Sequence, residues 1–433
     1  MSGTGEDGGK SVTTLIVEGG HELSGRISVE GNKNAALPLL VACLLTDQSC
    51  RLANVPRIRD VGVMIELLQS VGAEIHWVDR NTLEVCCRTV TSAEPDRRLV
   101  GRLRGSVLLL GPLLARLGHA RLAPPGGDFP ARRTISVHLQ ALRALGARDV
   151  SNDLYELDVP GGLHPASVYL EEASVTGTEI AILAAAAVKG TTEIRHAACE
   201  PHVSELCEFL RSMGAEIQGD GTPFVKVSGG NALGGASHRL RGDYVEAGSW
   251  AVLSAVTGGQ IEIKGVCAQD LEPITSVLSR MNVGCTVSGD SLSISPSELE
   301  AIRQVTTAPW PGFPSDMVSL VSVLATQARG RTLIHDWMYE LRLFALEQLS
   351  GMGADLFICD PHRMIVDGPR KLKGRNLDTR DLRSGMALIA AALAANGTSR
   401  VGPLETVERG YADLVDRLIA VGARVSVESP PES

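Results

Sequence analysis

Several charged and hydroxyl side chains stand where packing alone does not require them. Lys33 opens an apolar helical stretch in the segment EGNKNAALP, and a lysine beside the free N–H groups of a helix start can bind an anion. The loop PPGGDFPARRTISVH carries Asp128, Arg133 and His138 among glycines and prolines, which is typical of a mobile lid over a charged substrate. A solvated lysine and a plain surface loop are the simpler alternatives, and each segment alone leaves them open.

Two further segments carry candidate contact groups. ASVTGTE places Ser174 and Thr176 beside a glycine, so backbone N–H groups could approach phosphate oxygens, although the same residues would cap a helix equally well. In APWPGFPSDM, three prolines stiffen the approach to Asp316, which could be a general base or simply a helix cap. Arg104 precedes an apolar helix, where an exposed surface charge is the commoner arrangement.

Three arginines near the C-terminus, Arg342, Arg383 and Arg409, each have an acidic residue close by in the sequence. Surface ion pairs of this kind contribute little stability. A guanidinium fork also suits carboxylate and phosphate groups, so the three could instead converge on one anionic ligand. The choice depends on the elements that position them.

Those elements follow a pattern that recurs six times, at an interval of about 70 residues. Each copy has a leucine, three residues, a Gly-Ala pair or a near match, and then a strand-like run. The glycine place is held by Gly72, Gly146, Gly214, Asn282, Gly353 and Gly422. Glycine and asparagine adopt the left-handed conformation most easily, so each copy predicts a helix that ends there and a strand that follows. Six units predict two lobes of three, with the ligand site in the cleft between them.

Composition restricts the function classes. The chain has 433 residues, 44% of them hydrophobic, and a formal net charge of -9, which argues against a general binder of nucleic acid or anionic membranes. Its nine cysteines are scattered without a C-x-x-C pair, which indicates reduced thiols and neither a zinc site nor a disulfide framework. No apolar run is long enough to span a bilayer and no signal core precedes the first segment, so we expect a cytoplasmic protein.

Taken together, these segments resemble the enolpyruvyl transferase family, which includes the enzyme acting on UDP-N-acetylglucosamine in peptidoglycan synthesis and, more distantly, the enolpyruvylshikimate phosphate synthases. The resemblance runs from about residue 14 to 425 and rests on GNKNAALP, GPLLARLG, PPGGD, SVTGTE, FPSDM, DLR and ERGY, in that order. It implies an α/β (α+β) fold, a two-lobed inside-out α/β barrel with three βαβαββ-type repeats in each lobe. Lobe I would comprise residues 1–33 and 242–433, and lobe II residues 34–241 with a mobile catalytic loop at 124–136.

The resemblance also implies how the donor, phosphoenolpyruvate, is held. Lys33, Arg133 and Arg409 would bind its phosphate, and Arg342 and Arg383 its carboxylate. Phosphoenolpyruvate carries nearly three negative charges at neutral pH, so five cations in a closed cleft are a proportionate match. No metal and no organic cofactor is implied.

For catalysis, the resemblance implies that Asp316 takes the proton of the acceptor hydroxyl, with Asp128 and Lys33 as the other catalytic residues. The acceptor site would be lined by Asn34, Arg104, His138, Ser174, Val175, Thr176 and Asp316. The implied reaction is transfer of the enolpyruvyl group to the 3-hydroxyl of UDP-N-acetylglucosamine by a monomeric protein that needs no nucleic acid or membrane partner.

Several residues depart from the family's pattern, mostly on the acceptor side. Asp128 replaces a cysteine that the family's epoxide inhibitor fosfomycin alkylates, and residues 129–136 differ from the usual loop. Cys199 and His202 replace an arginine and a glutamate, and Leu341 replaces an asparagine. The drift keeps a second acceptor open, UMP or another nucleotide of a nucleoside-antibiotic pathway. A related cyclase of RNA ends is less well matched, because neither its nucleotidylated histidine motif nor a basic surface is evident. An inactive binding paralogue is less well matched, because the family's lysine, aspartate and arginines are present.

Overall fold

The computed structural model describes residues 13–127, 134–151 and 154–429, in which short strands alternate with helices. The strands are β1 (Thr14–Gly19), β2 (Ser24–Ser28), β3 (Cys50–Ala53), β4 (Glu74–Trp77), β5 (Leu83–Cys86), β6 (His119–Leu122), β7 (Arg148–Ser151), β8 (Tyr155–Asp158), β9 (Ser167–Tyr169), β10 (Gly190–Arg195), β11 (Glu216–Gln218), β12 (Phe224–Gly229), β13 (Ser237–Arg239), β14 (Gln260–Lys264), β15 (Gly284–Ser288), β16 (Ser291–Ser295), β17 (Gln304–Thr306), β18 (Gly330–His335), β19 (Asp355–Asp360), β20 (Arg363–Gly368), β21 (Asn376–Asp378), β22 (Gly397–Gly402) and β23 (Arg424–Glu428).

The α-helices are α1 (Lys33–Ala42), α2 (Arg59–Ser70), α3 (Arg97–Val100), α4 (Leu110–Leu117), α5 (Ser136–Ala144), α6 (Val175–Ala186), α7 (Pro201–Ser212), α8 (Tyr244–Val256), α9 (Ala268–Arg280), α10 (Val318–Gln327), α11 (Gln348–Gly351), α12 (Leu382–Ala394), α13 (Leu404–Val407) and α14 (Leu414–Ala420). Four 3₁₀ turns accompany them, at Cys43–Leu45, Arg104–Leu109, Ser315–Met317 and Arg342–Glu347.

The recurring glycine or asparagine ends a helix in the left-handed conformation in all six copies, as predicted. The φ angles are 105° at Gly72, 105° at Gly146, 111° at Gly214, 60° at Asn282, 100° at Gly353 and 89° at Gly422. A side chain with a Cβ is strained at such angles, and glycine and asparagine are strained least. The helix therefore stops at the same point of each unit, and a strand of the unit's sheet follows.

Six separate sheets surround two sets of buried helices. Five sheets have four strands, in the orders β21-β22-β1-β23, β11-β12-β10-β9, β13-β3-β5-β4, β15-β16-β14-β2 and β17-β18-β20-β19, and each contains one parallel pair. Helices α8, α10 and α12 contact one another pairwise and are buried almost throughout, as expected for helices that are apolar on all sides. The predicted inside-out α/β architecture is confirmed, with the helices inside and the sheets outside.

One unit is reduced. Its sheet has three strands, in the order β6-β8-β7, and all its pairs are antiparallel. The preceding segment supplies a single backbone hydrogen bond, from Arg121 N–H to the Ala93 carbonyl, at 2.9 Å. Among the residues that the structure describes, the βαβαββ pattern therefore lacks its first strand here.

The apolar side chains form two cores. One core extends from Ala35 to Leu240 with the addition of Ala412, and the other combines residues 15–29 with residues 244–423. We call the parts around them lobe II and lobe I. The domain boundaries at 33/34 and 241/242 stay a prediction, which the separation of the cores supports.

The chain passes between the lobes twice, and the two passages pair with each other. Gly31 and Gly242 form an antiparallel bridge, and Asn32 N–H donates to the Arg241 carbonyl at 2.8 Å. A Cβ at Gly31 would lie 1.9 Å from the Asn54 carbonyl oxygen, so no side chain fits there. The residues that follow this crossing begin α1 in the cleft between the lobes.

Candidate active site

Lys33 is held at the mouth of the cleft by the cap of α1. The Asn32 side chain accepts hydrogen bonds from the N–H groups of Asn34 and Ala35, at 2.8 and 3.1 Å. The Lys33 N–H donates to Asp243, which caps α8 of the other lobe, at 3.2 Å. The lysine and the neighbouring Asn34 therefore occupy the positions that the sequence predicted, at a helix start between the lobes.

The Lys33 ammonium meets Arg409 on a shared carboxylate, Asp60. Lys33 Nζ lies 2.6 Å from Asp60 Oδ2, and Arg409 Nε and Nη2 donate to the two oxygens of Asp60 at 2.9 and 3.2 Å. Burial tends to raise the pKa of Asp60, but Lys33 and Arg409 outweigh it and hold the pKa below its ordinary value. We call these three residues the Asp60 cluster.

Arg409 also joins the loop that precedes the undescribed residues. Its Nη1 donates to the Gly127 carbonyl at 2.6 Å. Gly127 has a φ of 84°, and a Cβ there would lie 2.5 Å from the Arg102 carbonyl oxygen. The second glycine of PPGGD is therefore needed for this approach, which brings the loop to the Asp60 cluster.

A second cluster forms on Asp316. Arg383 Nε and Nη2 donate to Asp316 Oδ2 at 3.0 and 2.8 Å, and Arg342 Nη2 donates to Oδ1 at 3.2 Å. The arginine side chains are only 8% and 7% exposed. Burial would raise the pKa of Asp316, but Arg383 and then Arg342 outweigh it and hold the pKa well below its ordinary value. These three residues are the Asp316 cluster.

Local geometry presents Arg342 to this cluster. Leu341 has a φ of 66°, which turns the chain so that the guanidinium lies 4.2 Å from the centre of the Tyr339 ring. Arg342 Nη1 donates to Ser315 Oγ at 2.9 Å, and that hydroxyl donates to Asp336 at 2.7 Å. The arginine is thereby anchored from two directions.

Arg383 is placed by the first turn of α12. Asp381 caps this helix by accepting the N–H groups of Arg383 and Ser384, at 2.9 and 3.0 Å. The Arg383 guanidinium is also within hydrogen-bonding reach of Tyr411, whose hydroxyl contacts Ser249 at 2.7 Å.

The two clusters interact electrostatically, since the charge of Lys33 also contributes to the lowered pKa of Asp316. Together they hold four cationic and two anionic side chains, an excess of two positive charges in a partly buried cleft. The surrounding protein focuses such a field, and a ligand with two or three negative charges is its natural complement.

The predicted acceptor residues other than Asp316 lie on lobe II, whereas Asp316 belongs to lobe I. Ser174 caps α6 by accepting the Gly177 N–H at 3.2 Å, and Val175 is the first residue of that helix. Thr176 Oγ1 lies 2.7 Å from Nε2 of the buried His138. Arg104 Nη2 donates to the carbonyl of residue 134 at 2.6 Å. Ser174, Thr176 and His138 thus form one site, and the roles of all these residues stay predictions.

Asp128 and Arg133 lie outside the described residues, so their predicted roles and the mobility of the 124–136 loop stay predictions. Two site features were missed by sequence reasoning. Neither Asp60 nor the pair Glu179 and Glu200 was singled out. Asp60 and Arg409 are 349 positions apart in the sequence. The family resemblance at Lys33 and Arg409 was the only sequence signal that these residues share a site.

A family model described as EPSP synthase (3-phosphoshikimate 1-carboxyvinyltransferase) matches residues 17–418. The chain belongs to this enolpyruvyl transferase family. It is therefore an enzyme of the transferase class, as the sequence predicted.

Curated family members cover nearly the whole chain. The UDP-N-acetylglucosamine 1-carboxyvinyltransferase of Bradyrhizobium diazoefficiens is 43% identical over 418 residues, 95% of this chain and 97% of its own length. The protein of the same name from Treponema denticola is 39% identical over 421 residues, 95% of this chain and 99% of its own length. The enolpyruvyl transferases thus include relatives that align with this chain from end to end.

Solved enolpyruvyl transferase structures have the same fold. The enolpyruvyl transferase NikO from Streptomyces tendae superimposes with a TM-score of 0.88 at 26% identity, over 97% of this chain and 100% of its own. EPSP synthase from Acinetobacter baumannii superimposes with a TM-score of 0.77 at 18% identity, over 96% of this chain and 100% of its own. Among the described residues, no helix has the length and apolar character needed to cross a membrane.

Proposed function

We propose that this enzyme transfers the enolpyruvyl group of phosphoenolpyruvate to the 3-hydroxyl of UDP-N-acetylglucosamine and releases phosphate. The assignment of phosphoenolpyruvate as the donor rests on the two clusters, in each of which two cationic side chains bind one carboxylate. Lys33 and Arg409 hold Asp60, and Arg383 and Arg342 hold Asp316. Two such anion positions match the phosphate and carboxylate ends of phosphoenolpyruvate.

The Asp316 cluster couples donor binding to base activation. As long as both arginines hold Asp316, its low pKa makes it a poor proton acceptor. The carboxylate of phosphoenolpyruvate would take over the guanidinium groups of Arg342 and Arg383. Asp316 would then lose the charges that depress its pKa and become free to accept a proton from the acceptor hydroxyl. The base is therefore activated only when the donor is in place.

The chemistry then follows two steps. The acceptor hydroxyl gives its proton to Asp316 as its oxygen bonds to C2 of phosphoenolpyruvate, and C3 receives a proton from the acid that we assign to Asp128. In the second step the bond between C2 and the phosphate oxygen breaks and phosphate leaves with the bonding electrons. C3 returns a proton to the Asp128 carboxylate, and the enol ether forms. Lys33 and Arg409, with Arg133, would stabilise the charge that the departing phosphate carries.

The names of the relatives support the acceptor, since proteins named UDP-N-acetylglucosamine 1-carboxyvinyltransferase match at 39–43% identity over 95% of this chain. The departures of Cys199, His202 and residues 129–136 from the family's pattern keep a nucleotide acceptor as the second candidate. A role in peptidoglycan precursor synthesis, a cytoplasmic location and a monomeric state belong to the same proposal.

Phosphate release from phosphoenolpyruvate tests this function. The purified protein is offered UDP-N-acetylglucosamine, UMP and UDP-glucose in separate reactions, with phosphate measured continuously. We expect release with UDP-N-acetylglucosamine at least 10-fold faster than with the other two. Fast release with UMP alone would establish the nucleotide acceptor instead, and no release with any acceptor would overturn the transferase proposal.

A further inference from the structure

Two segments of lobe II bring three titratable side chains to the floor of the cleft. The Ala198 N–H donates to Thr178 Oγ1 at 2.9 Å, which fastens the segment before α7 to the first turn of α6. Glu179 follows Thr178, and Glu200 and His202 follow Ala198 across the start of α7. We call Glu179, Glu200 and His202 the lobe II polar pocket.

The polar atoms of this pocket are buried without partners. Both ring nitrogens of His202, Oε1 of Glu179 and Oε2 of Glu200 have no hydrogen-bond partner in the part of the chain that the structure describes. Glu179 is 1% exposed and His202 is 3% exposed. Folded proteins pair nearly all buried polar groups, because an orphaned one forfeits its hydration. Four such atoms on two segments that a hydrogen bond joins indicate groups that are completed by a ligand.

The pocket offers uncharged donors and acceptors. Burial lowers the pKa of His202 to about 4, with Asp316 opposing the shift, so the imidazole is neutral at physiological pH and has one donor and one acceptor nitrogen. Burial, followed by the charge of Glu200, raises the pKa of Glu179 well above its ordinary value, and burial also raises the pKa of Glu200. A neutral imidazole binds hydroxyl or amide groups, whereas a phosphate would go to the cationic clusters.

The pocket faces the reacting groups across the cleft. The charge of Asp316 opposes the lowering of the His202 pKa by burial. Burial, followed by charges that include Glu200 and Asp316, raises the pKa of the buried Tyr244 of lobe I. The Trp310 N–H, six residues before Asp316, is within hydrogen-bonding reach of Glu200. These interactions place Glu200 and His202 on the side of lobe II that meets the Asp316 segment of lobe I.

We infer that the lobe II polar pocket selects the acceptor, with His202 hydrogen-bonded to an uncharged amide or hydroxyl substituent beside the reacting hydroxyl. This inference rests on the proposed function, because it takes Asp316 as the group that meets the acceptor hydroxyl. His202 departs from the family pattern, so the pocket is also where this chain would differ from its relatives in acceptor preference.

Equilibrium binding of UDP-N-acetylglucosamine, measured by calorimetry without phosphoenolpyruvate, tests the inference on the parent and three variants. His202→Phe keeps a ring but removes both hydrogen-bonding atoms, and we expect binding weaker by roughly 10-fold to 100-fold. His202→Gln restores a donor and an acceptor and should stay within about fivefold of the parent. His76→Phe, at a histidine whose side chain is 66% exposed, is the matched control and should bind like the parent.

A second series uses UDP-glucose and the 4-deoxy analogue of UDP-N-acetylglucosamine. For the analogue that lacks the substituent contacted by His202, the parent and His202→Phe should bind equally well, because the interaction is already missing. Equal losses with all three ligands, or unchanged binding of UDP-N-acetylglucosamine by His202→Phe, would overturn the inference. A parallel loss of phosphoenolpyruvate binding would also overturn it, since it would indicate a general disturbance of the cleft.

The outcome is separable from that of the proposed function. Acceptor binding that depends on His202 without any phosphate release would remove the transferase proposal and leave the pocket supported. Phosphate release by the parent, together with acceptor binding that His202→Phe leaves unchanged, would support the transferase proposal and overturn the role of the pocket. Failure of the parent to bind any of the three ligands would overturn the pocket outright.

Discussion

Replacing Asp316 with asparagine should move catalysis and donor binding in opposite directions. The substitution removes the proton acceptor, so turnover should fall roughly 100-fold or more. It also removes the charge that competes with phosphoenolpyruvate for Arg342 and Arg383. The side chains of Arg342 and Arg383 are 7% and 8% exposed, so Asp316 and phosphoenolpyruvate compete for them in a largely desolvated site.

The magnitude of the binding change follows from the contacts. Asp316 receives three charge-assisted hydrogen bonds, two from Arg383 and one from Arg342, and asparagine can accept through one oxygen only. Freeing the arginines from even one such bond, worth about 1.5–3 kcal/mol, should tighten phosphoenolpyruvate binding roughly 10-fold to 150-fold.

Calorimetry for the dissociation constant and phosphate release for turnover provide the two readouts. Asp149→Asn, which breaks an exposed pair with Arg143 at 2.8 Å, is the matched control and should change neither. Weaker phosphoenolpyruvate binding in Asp316→Asn would refute the competition, and near-normal turnover would remove Asp316 from the mechanism.

Three further predictions follow from the chemistry and the backbone. The parent enzyme should stay active in fosfomycin, whereas Asp128→Cys should be alkylated, as seen by mass spectrometry, and stay active to higher pH because the reference pKa of a thiol is about 8.5; rapid alkylation of the parent would contradict this. The lowered pKa of Asp60 contributes stability that is complete above about pH 4 and is lost as pH falls further. The free energy of urea unfolding of Asp60→Asn should therefore depend less on pH between 5 and 3 than that of the parent. Parallel pH profiles of the two proteins would refute this. Gly353→Ala, at a φ of 100°, should destabilise by about 1–2 kcal/mol, whereas Gly351→Ala inside α11, with no atom within 4 Å of the added Cβ, should not, and equal thermal shifts would count against the strain.

Much of the scaffold could be predicted from the sequence because a backbone rule repeats. Only residues tolerant of the left-handed conformation can end these helices, so Gly353 and Asn282 reveal equivalent positions despite different neighbours. Arg342 and Arg383 do not occupy equivalent positions, because Arg342 begins the 3₁₀ turn after β18 and Arg383 lies in the first turn of α12, before β22. Their convergence on Asp316 therefore does not follow from the repeat. The missing first strand of the β6–β8 sheet could not be predicted, because the helix and glycine of that unit follow the common pattern.

The partners of the cationic residues could not be predicted. Local reading pairs Arg409 with the adjacent Glu408, yet the structure pairs it with Asp60 of the other lobe. Such a contact depends on how two lobes with separate cores meet, and no local propensity encodes it. The same holds for His202, whose burial beside Glu200 follows from the packing of α7 against α6.

The product formed from phosphoenolpyruvate and UDP-N-acetylglucosamine tests the central claim most directly. The purified enzyme is incubated with both substrates, the phosphate released is counted, and the nucleotide product is examined by NMR. We expect one phosphate for each molecule of an enol ether attached at the 3-oxygen of the sugar, and roughly 100-fold less product, or lower still, from Asp316→Asn over the same period. Phosphate released without that ether, or an enolpyruvyl group attached at another oxygen, would contradict it.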